Sequence, residues 1–186
     1  DGKDVTPRNP KDAVNKGVFL VSEDRKGEGL FLIRSAKENL TISRNDRSFF
    51  LNLKKERNLV EESIQKLQIK VFSQDQEVGN LSGGNQQKVV ISRWLLEEGD
   101  VYIFDEPTKG VDVAAKAEIY RLMEDIVHSG KSIIVVSSEL PEVMGISDRM
   151  VIMCEGKKTG ELQKEEFAEQ VILNYAMGGK DNGERK

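Results

Sequence analysis

Two short stretches of this 186-residue chain combine residue types and spacings suited to phosphate and metal chemistry. The first is Leu81-Ser82-Gly83-Gly84-Asn85-Gln86-Gln87-Lys88. Two glycines behind a serine, at the mouth of a helix, leave backbone N–H groups open to approach, and the helix dipole adds partial positive charge there. Such a place suits an anion such as phosphate. The plainer reading is a Ser-capped helix start behind a flexible turn. The second stretch is Val101-Tyr102-Ile103-Phe104-Asp105-Glu106-Pro107-Thr108. A carboxylate at the C-terminal end of a buried strand sits where α/β sheets bind ligands. Asp105 is placed to hold Mg²⁺, directly or through water, and Glu106 to polarise an attacking water. Here the plainer reading is a strand ending in a solvated acidic turn.

The elements that must position these residues follow from pattern. Asn9-Pro10 and Gly17 bracket a short helix over 11–16, capped by Asn9, and Val18–Val21 reads as a buried strand. Ser22–Gly29 is charged and glycine-containing, which predicts a loop. Ser35-Ala36-Lys37-Glu38 has capping-box spacing. Val60, Ile64, Leu67 and Val71 recur at helical spacing and predict an amphipathic helix over 57–72. A further helix is expected over 85–98. The pattern then changes to a strand over 101–104, a helix over 113–129 with Asp112 as N-cap, and a second buried strand over 132–137. A short helix over 138–144, a hairpin around Glu155-Gly156 and a last helix marked by Glu165, Phe167, Val171 and Tyr175 complete the chain. Alternating strand and helix means a parallel sheet in an α/β layer. The order divides the chain into a partial core over 1–34, a helical subdomain over 35–99, an α/β core over 100–177 and a loose tail over 178–186.

Composition narrows the class. Hydrophobic residues make up 38% and charged residues 32%, as in a globular domain rather than a disordered segment. Lys and Arg number 28 against 32 Asp and Glu, without the basic excess of a dedicated nucleic-acid binder, so no nucleic-acid partner is expected. Cys154 is the only cysteine, which rules out an intrachain disulfide and fits a reducing compartment. No apolar run approaches the roughly 20 residues of a membrane span. The first residues, Asp1-Gly2-Lys3-Asp4, read as the middle of a turn, so the start reads as a cut. His128, in the last turn of a helix, complements the dipole; Trp94 and Cys154 are expected in the core. The Arg25-Lys26 and Lys54-Lys55 pairs read as solvated faces.

The two chemical stretches, in this order and separated by one helix, resemble the signature and Walker-B motifs of ATP-binding cassette (ABC) ATPases. The resemblance continues through Lys109-Gly110-Val111-Asp112, at the D-loop position, and Ile134-Val135-Val136-Ser137-Ser138-Glu139, at the switch strand. The wording of the signature, and Glu23-Asp24-Arg25-Lys26-Gly27-Glu28-Gly29-Leu30, look like the second cassette of bacterial monosaccharide-importer ATPases. The resemblance implies an α/β, P-loop NTPase-like cassette fragment with a helical subdomain, and an ATPase coupled to sugar uptake with ATP and Mg²⁺ as cofactors. It implies as partners a second cassette in a head-to-tail dimer, a transmembrane permease and, indirectly, a periplasmic sugar-binding protein. The location implied is cytoplasmic, peripheral on the inner face of the membrane. Carried over by position, Ser82, Gly83, Gly84 and Asn85 would face the ATP held by the partner. Asp105 and Glu106 would serve this cassette's own nucleotide as metal ligand and catalytic residue, and Asp112 would sit at the cassette interface. Arg25, in the coupling loop, becomes a candidate contact with a partner subunit.

Three departures weigh against turnover by these residues alone. No Gly-x-x-x-x-Gly-Lys-[Ser/Thr] phosphate loop occurs in the 186 residues, so the Walker-A strand-loop-helix is expected before Asp1. Gly130-Lys131-Ser132 is a decoy, since Asp125 holds its first glycine position and a helix precedes it. The family's Gln that leads into the helical subdomain, next to the nucleotide and its Mg²⁺, is Glu23, and the switch His is Ser138, whose hydroxyl does not replace an imidazole. A second reading is a half-cassette of the chromosome-maintenance or DNA-repair type, completed by a separate P-loop half. It requires a long heptad coiled coil before the signature, and none is present in these residues.

Overall fold

The computed structural model describes residues 6–43, 53–97 and 99–179. The expected opening turn over 1–4 and most of the tail lie outside them. The described residues form two compact units, 1–136 and 137–186, which are treated separately.

In the first unit, helix α1 (Pro10–Asn15) is capped by Asn9, whose side chain accepts from the Asp12 N–H, and it leads into strand β1 (Val18–Val21). Strands β2 (Val101–Asp105) and β3 (Ser132–Val136) complete a parallel sheet in the order β1-β2-β3, with Leu20, Ile103 and Ile134 in register across it. One sheet face carries Phe19, Tyr102 and Phe104, all buried, with the Phe19 ring stacked on Trp94 at 5.1 Å. The opposite face carries Leu20, Ile134 and Val136, each about half exposed. β3 is therefore not the buried strand its apolar run predicts. An unbroken apolar run reports hydrophobicity on both faces, not whether both are covered.

Helix α2 (Ala36–Thr41) opens with the predicted capping box, Ser35 and Glu38 bonding reciprocally. Helix α3 (Leu53–Lys66) stops earlier than its periodicity implies. Gln68 takes φ +50°, its N–H donates to Gln65 O, and the Ile69 N–H donates to Ile64 O, which together close the helix in a Schellman pattern. Ile69 is buried there, while Phe72, expected on the helix, is fully exposed. The glycine motif forms the first turn of helix α4 (Gly83–Leu95), with Ser82 as N-cap. Helix α5 (Val113–His128) starts at Asp112, whose Oδ1 accepts from the Ala115 N–H at 3.0 Å.

A buried ammonium ties α4 to α5. Lys88 Nζ lies 2.7 Å from Glu118 Oε2 and donates to Gln68 O at 3.1 Å, with its side chain only 4% exposed. The hydrogen bond from Lys88 holds the Glu118 carboxyl below its ordinary pKa. A depressed carboxylate contributes stability above its unfolded pKa of about 4.3 and loses it as pH falls through the folded value. Glu118→Gln is therefore expected to flatten the acid limb of a urea-midpoint-versus-pH curve below about pH 4 and to cost about 2 kcal/mol at neutral pH. An unchanged acid limb would refute the assignment.

In the second unit, helix α6 (Leu140–Ile146) is followed by strands β4 (Arg149–Cys154) and β5 (Lys157–Gln163), an antiparallel hairpin. Its turn residues Glu155 and Gly156 both have positive φ, the primed-turn geometry that matches strand twist. The last predicted helix is divided into a 3₁₀ turn (Lys164–Glu166) and helix α7 (Glu169–Ala176). Met150, Ile152, Leu162 and Ile172 form the core of this unit.

Candidate nucleotide site

The Ser82 hydroxyl caps α4. Its Oγ accepts from the Asn85 backbone N–H at 3.4 Å and from Asn85 Nδ2 at 2.8 Å, and Asn85 Oδ1 accepts from the Lys70 N–H at 2.8 Å. The Asn85 side chain thus holds loop and helix together. The two glycines have different surroundings. Gly83 is half-buried beside Arg25, whereas Gly84 is buried, and a Cβ there would lie 2.5 Å from Ala115 Cβ. Gly84 is a site of close helix approach to α5, which corrects the expectation that both glycines stand open to a ligand.

Asp105 ends β2, half-buried, and Glu106 follows it at φ +47°, its N–H donating to Val136 O at 2.8 Å. A left-handed Glu is strained, and such strain is concentrated at functional sites. The Lys109 ammonium pairs with Glu23 and is raised above its ordinary pKa by that pair first, then by Glu106 and Asp105. Glu23 thus pairs directly with Lys109, while the charges of Glu106 and Asp105 add to the field that favours its ammonium form. Arg25 is no solvated charge. It lies in a π-helical turn (Arg25–Gly29), where a loop is expected, and donates to Lys109 O at 2.7 Å and Gly110 O at 3.3 Å. Asp112 is exposed and engaged as the α5 cap. Ser138 is exposed in the second unit. The sequence placed Lys109 only within the stretch at the D-loop position, and its pairing with Glu23 was not foreseen.

No group of three or more His, Cys, Asp or Glu side chains among the described residues is arranged to hold a metal. Mg²⁺ binds through one or two carboxylates plus phosphate oxygens, and Asp105 carries one carboxylate at the strand end.

The sequence pattern of the family described as ABC transporter matches residues 1–109. The chain belongs to the ABC transporter family. It is 49% identical over 182 residues to the ribose import ATP-binding protein RbsA of Caldanaerobacter subterraneus subsp. tengcongensis, covering 96% of this chain and 37% of that protein. It is 46% identical to the arabinose import ATP-binding protein AraG of Rhizobium johnstonii and to the xylose import ATP-binding protein XylG of Moorella thermoacetica. These matches cover 97% of this ABC-family chain and 37% and 36% of the two relatives. The chain thus spans a little over a third of the length of these relatives. Its fold matches a nucleotide-free ATP-binding cassette from an ABC transporter, with a TM-score of 0.72 at 21% identity over 94% of this chain and 70% of that one. It also matches a dimeric ATP-binding cassette in a post-hydrolysis state bound to ADP and Pi, with a TM-score of 0.69 at 20% identity over 84% and 68%. The α/β cassette architecture expected from the sequence is therefore the one present.

Proposed function

We propose that these residues are part of an ATP-binding subunit that couples ATP hydrolysis to import of a monosaccharide. The observation that carries the reading is the convergence of three separate segments on one region. Glu23 and Arg25 pair with the loop over 109–112, the Gly83 start of the Ser82-capped helix lies against Gly110 O, and Glu106 O at the strand tip accepts from the Lys109 N–H at 3.1 Å. Relatives named as ribose, arabinose and xylose import ATP-binding proteins supply the substrate class. No helix among the described residues is long and apolar enough to cross a membrane. On the proposed reading the crossing belongs to a separate permease, with this subunit on its cytoplasmic face. The periplasmic sugar-binding protein acts upstream of that permease.

Ser82 and the N-terminal amides of α4 would bind the terminal phosphate of ATP held by a second, head-to-tail cassette, with Asp112 facing that partner. Asp105 would hold Mg²⁺ beside the chain's own nucleotide, where the ion would neutralise phosphate charge. Glu106 is the general base by position. Glu23 stands where the family carries Gln and Ser138 where it carries the switch His, and each substitution weighs against strong turnover.

The test is sugar uptake and ATP turnover by the complete subunit reconstituted with its permease. The 186 residues alone are expected to give negligible turnover at saturating Mg-ATP. Substituting Ser82 by Arg in the complete subunit is expected to reduce turnover and uptake together by about 100-fold. Unchanged uptake would refute the proposal, as would clear hydrolysis by the isolated chain.

A further inference from the structure

The contacts of Arg25 that mark the convergence also form a mechanical connection between two distant segments. Arg25 projects from a π-helical turn, a rare geometry that is frequent at functional sites. The turn is held by Asp24, whose side chain accepts from the Gly27 N–H at 2.9 Å and whose carbonyl accepts from the N–H groups of Glu28 and Gly29. From there the guanidinium spans two consecutive carbonyls, Lys109 O and Gly110 O. Gly110 takes φ +66°, and the Gly83 backbone comes so close that a Cβ would lie 2.9 Å from Arg25 Nη2 and 3.0 Å from Gly110 O. The same loop is gripped a second time by the Lys109–Glu23 ion pair. Beyond it, Val111 and Ala115 pack on Gly84.

We propose that Arg25, assisted by the Glu23–Lys109 pair, is a positioning strut that fastens segment 23–29 to the loop over 109–112. It thereby sets the placement of the glycine helix relative to the strand-tip carboxylates. The proposal rests on the cassette reading for its functional consequence, but not for its geometry. A planar guanidinium bridges two acceptors in a fixed fork, which an ammonium does not reproduce, so Arg rather than Lys is required. Arg25 Nε is buried and makes no hydrogen bond, so the side chain is held by its two terminal nitrogens. Glu23 and Lys109 are both largely exposed, and exposed pairs add little stability. Their effect is on position.

The experiment compares Arg25→Gln, Arg25→Lys, Glu23→Gln, Lys109→Met and the Glu23→Gln/Lys109→Met double variant in the complete subunit. Its readouts are ATP turnover, ATP affinity, urea midpoint and amide hydrogen exchange at residues 109–112. Arg25→Gln is expected to lower kcat about 10-fold with little change in KM, leave the urea midpoint near wild type, and accelerate exchange at Gly110 and Val111. Arg25→Lys is expected to recover less than half of the lost exchange protection. The double variant is expected to be no worse than the more impaired single variant, because both remove the same pair. Unaltered exchange at 109–112 in Arg25→Gln would overturn the strut, and so would additive losses in the double variant. Absence of turnover in the wild-type subunit would instead sink the cassette reading, and the exchange measurement would still decide the strut.

Discussion

Gly84→Val in the complete subunit is expected to lose about 1–3 kcal/mol of stability and about 100-fold in ATP turnover. The first loss follows from space. A Cβ at 84 would stand 2.5 Å from Ala115 Cβ, on a helix whose own start is pinned by the Asp112 cap. Neither partner is the far end of a flexible side chain, so α4 and α5 must separate. The second loss follows from where the separation falls, at the end of α4 that presents Ser82 and at the loop that Arg25 grips. Gly145→Ala is the control: nothing lies within 4 Å of its would-be Cβ, and it sits inside α6. That change is expected to be neutral or to stabilise by about 0.5–1 kcal/mol. Denaturation midpoints and turnover of the two variants check the pair of outcomes. A Gly84→Val protein with a wild-type midpoint would show that the helices do not approach as described.

The second large effect is expected at Asn39, which is fully buried. Its Nδ2 donates toward the carbonyls of Phe31, Arg34 and Ser35, and its Oδ1 accepts from the Phe31 N–H at 2.9 Å. Buried Arg93 closes the cluster, with Nε donating to Asn39 O at 2.7 Å and Nη2 to Asn39 Oδ1 at 3.2 Å. Burial disfavours the charged guanidinium and lowers its pKa, so its acceptors matter more than they would in water. Asn39→Ala orphans several of these groups at once, at about 1–3 kcal/mol each, for an expected loss of about 3 kcal/mol or more. Asn39→Asp keeps the acceptor for Arg93 but removes the donor, and it too is expected to destabilise. Thermal or urea unfolding of the first unit measures both. Wild-type stability of either variant would contradict this account.

Much of the candidate site was legible because its residues are local in sequence. Ser82 caps α4 and Asp112 caps α5 through bonds spanning three residues, and Asp105 follows an apolar strand by adjacency alone. The hairpin turn at Glu155-Gly156 was legible for the same reason. What pattern missed depended on partners far along the chain. Arg25 looked solvated because its acceptors lie 84 and 85 residues away, and the pairing of Lys109 had no local signal because Glu23 lies 86 residues away. The helix end at Lys66 was misplaced because the apolar period ran on while the left-handed backbone of Gln68 ended the helix.

By itself, the sequence determined the family, the parallel α/β order, and the helix starts and strand ends at which the candidate anion- and metal-binding residues stand. Those properties arise from backbone geometry and short-range hydrogen bonds, which neighbouring residues specify. Only the tertiary structure decided that Gly84 serves close packing, that one sheet face is left half exposed, and that Glu23, Arg25 and Lys109 clamp a loop beside Asp105 and Glu106. Contacts across some 85 residues depend on how the chain closes on itself, and no local pattern carries that information.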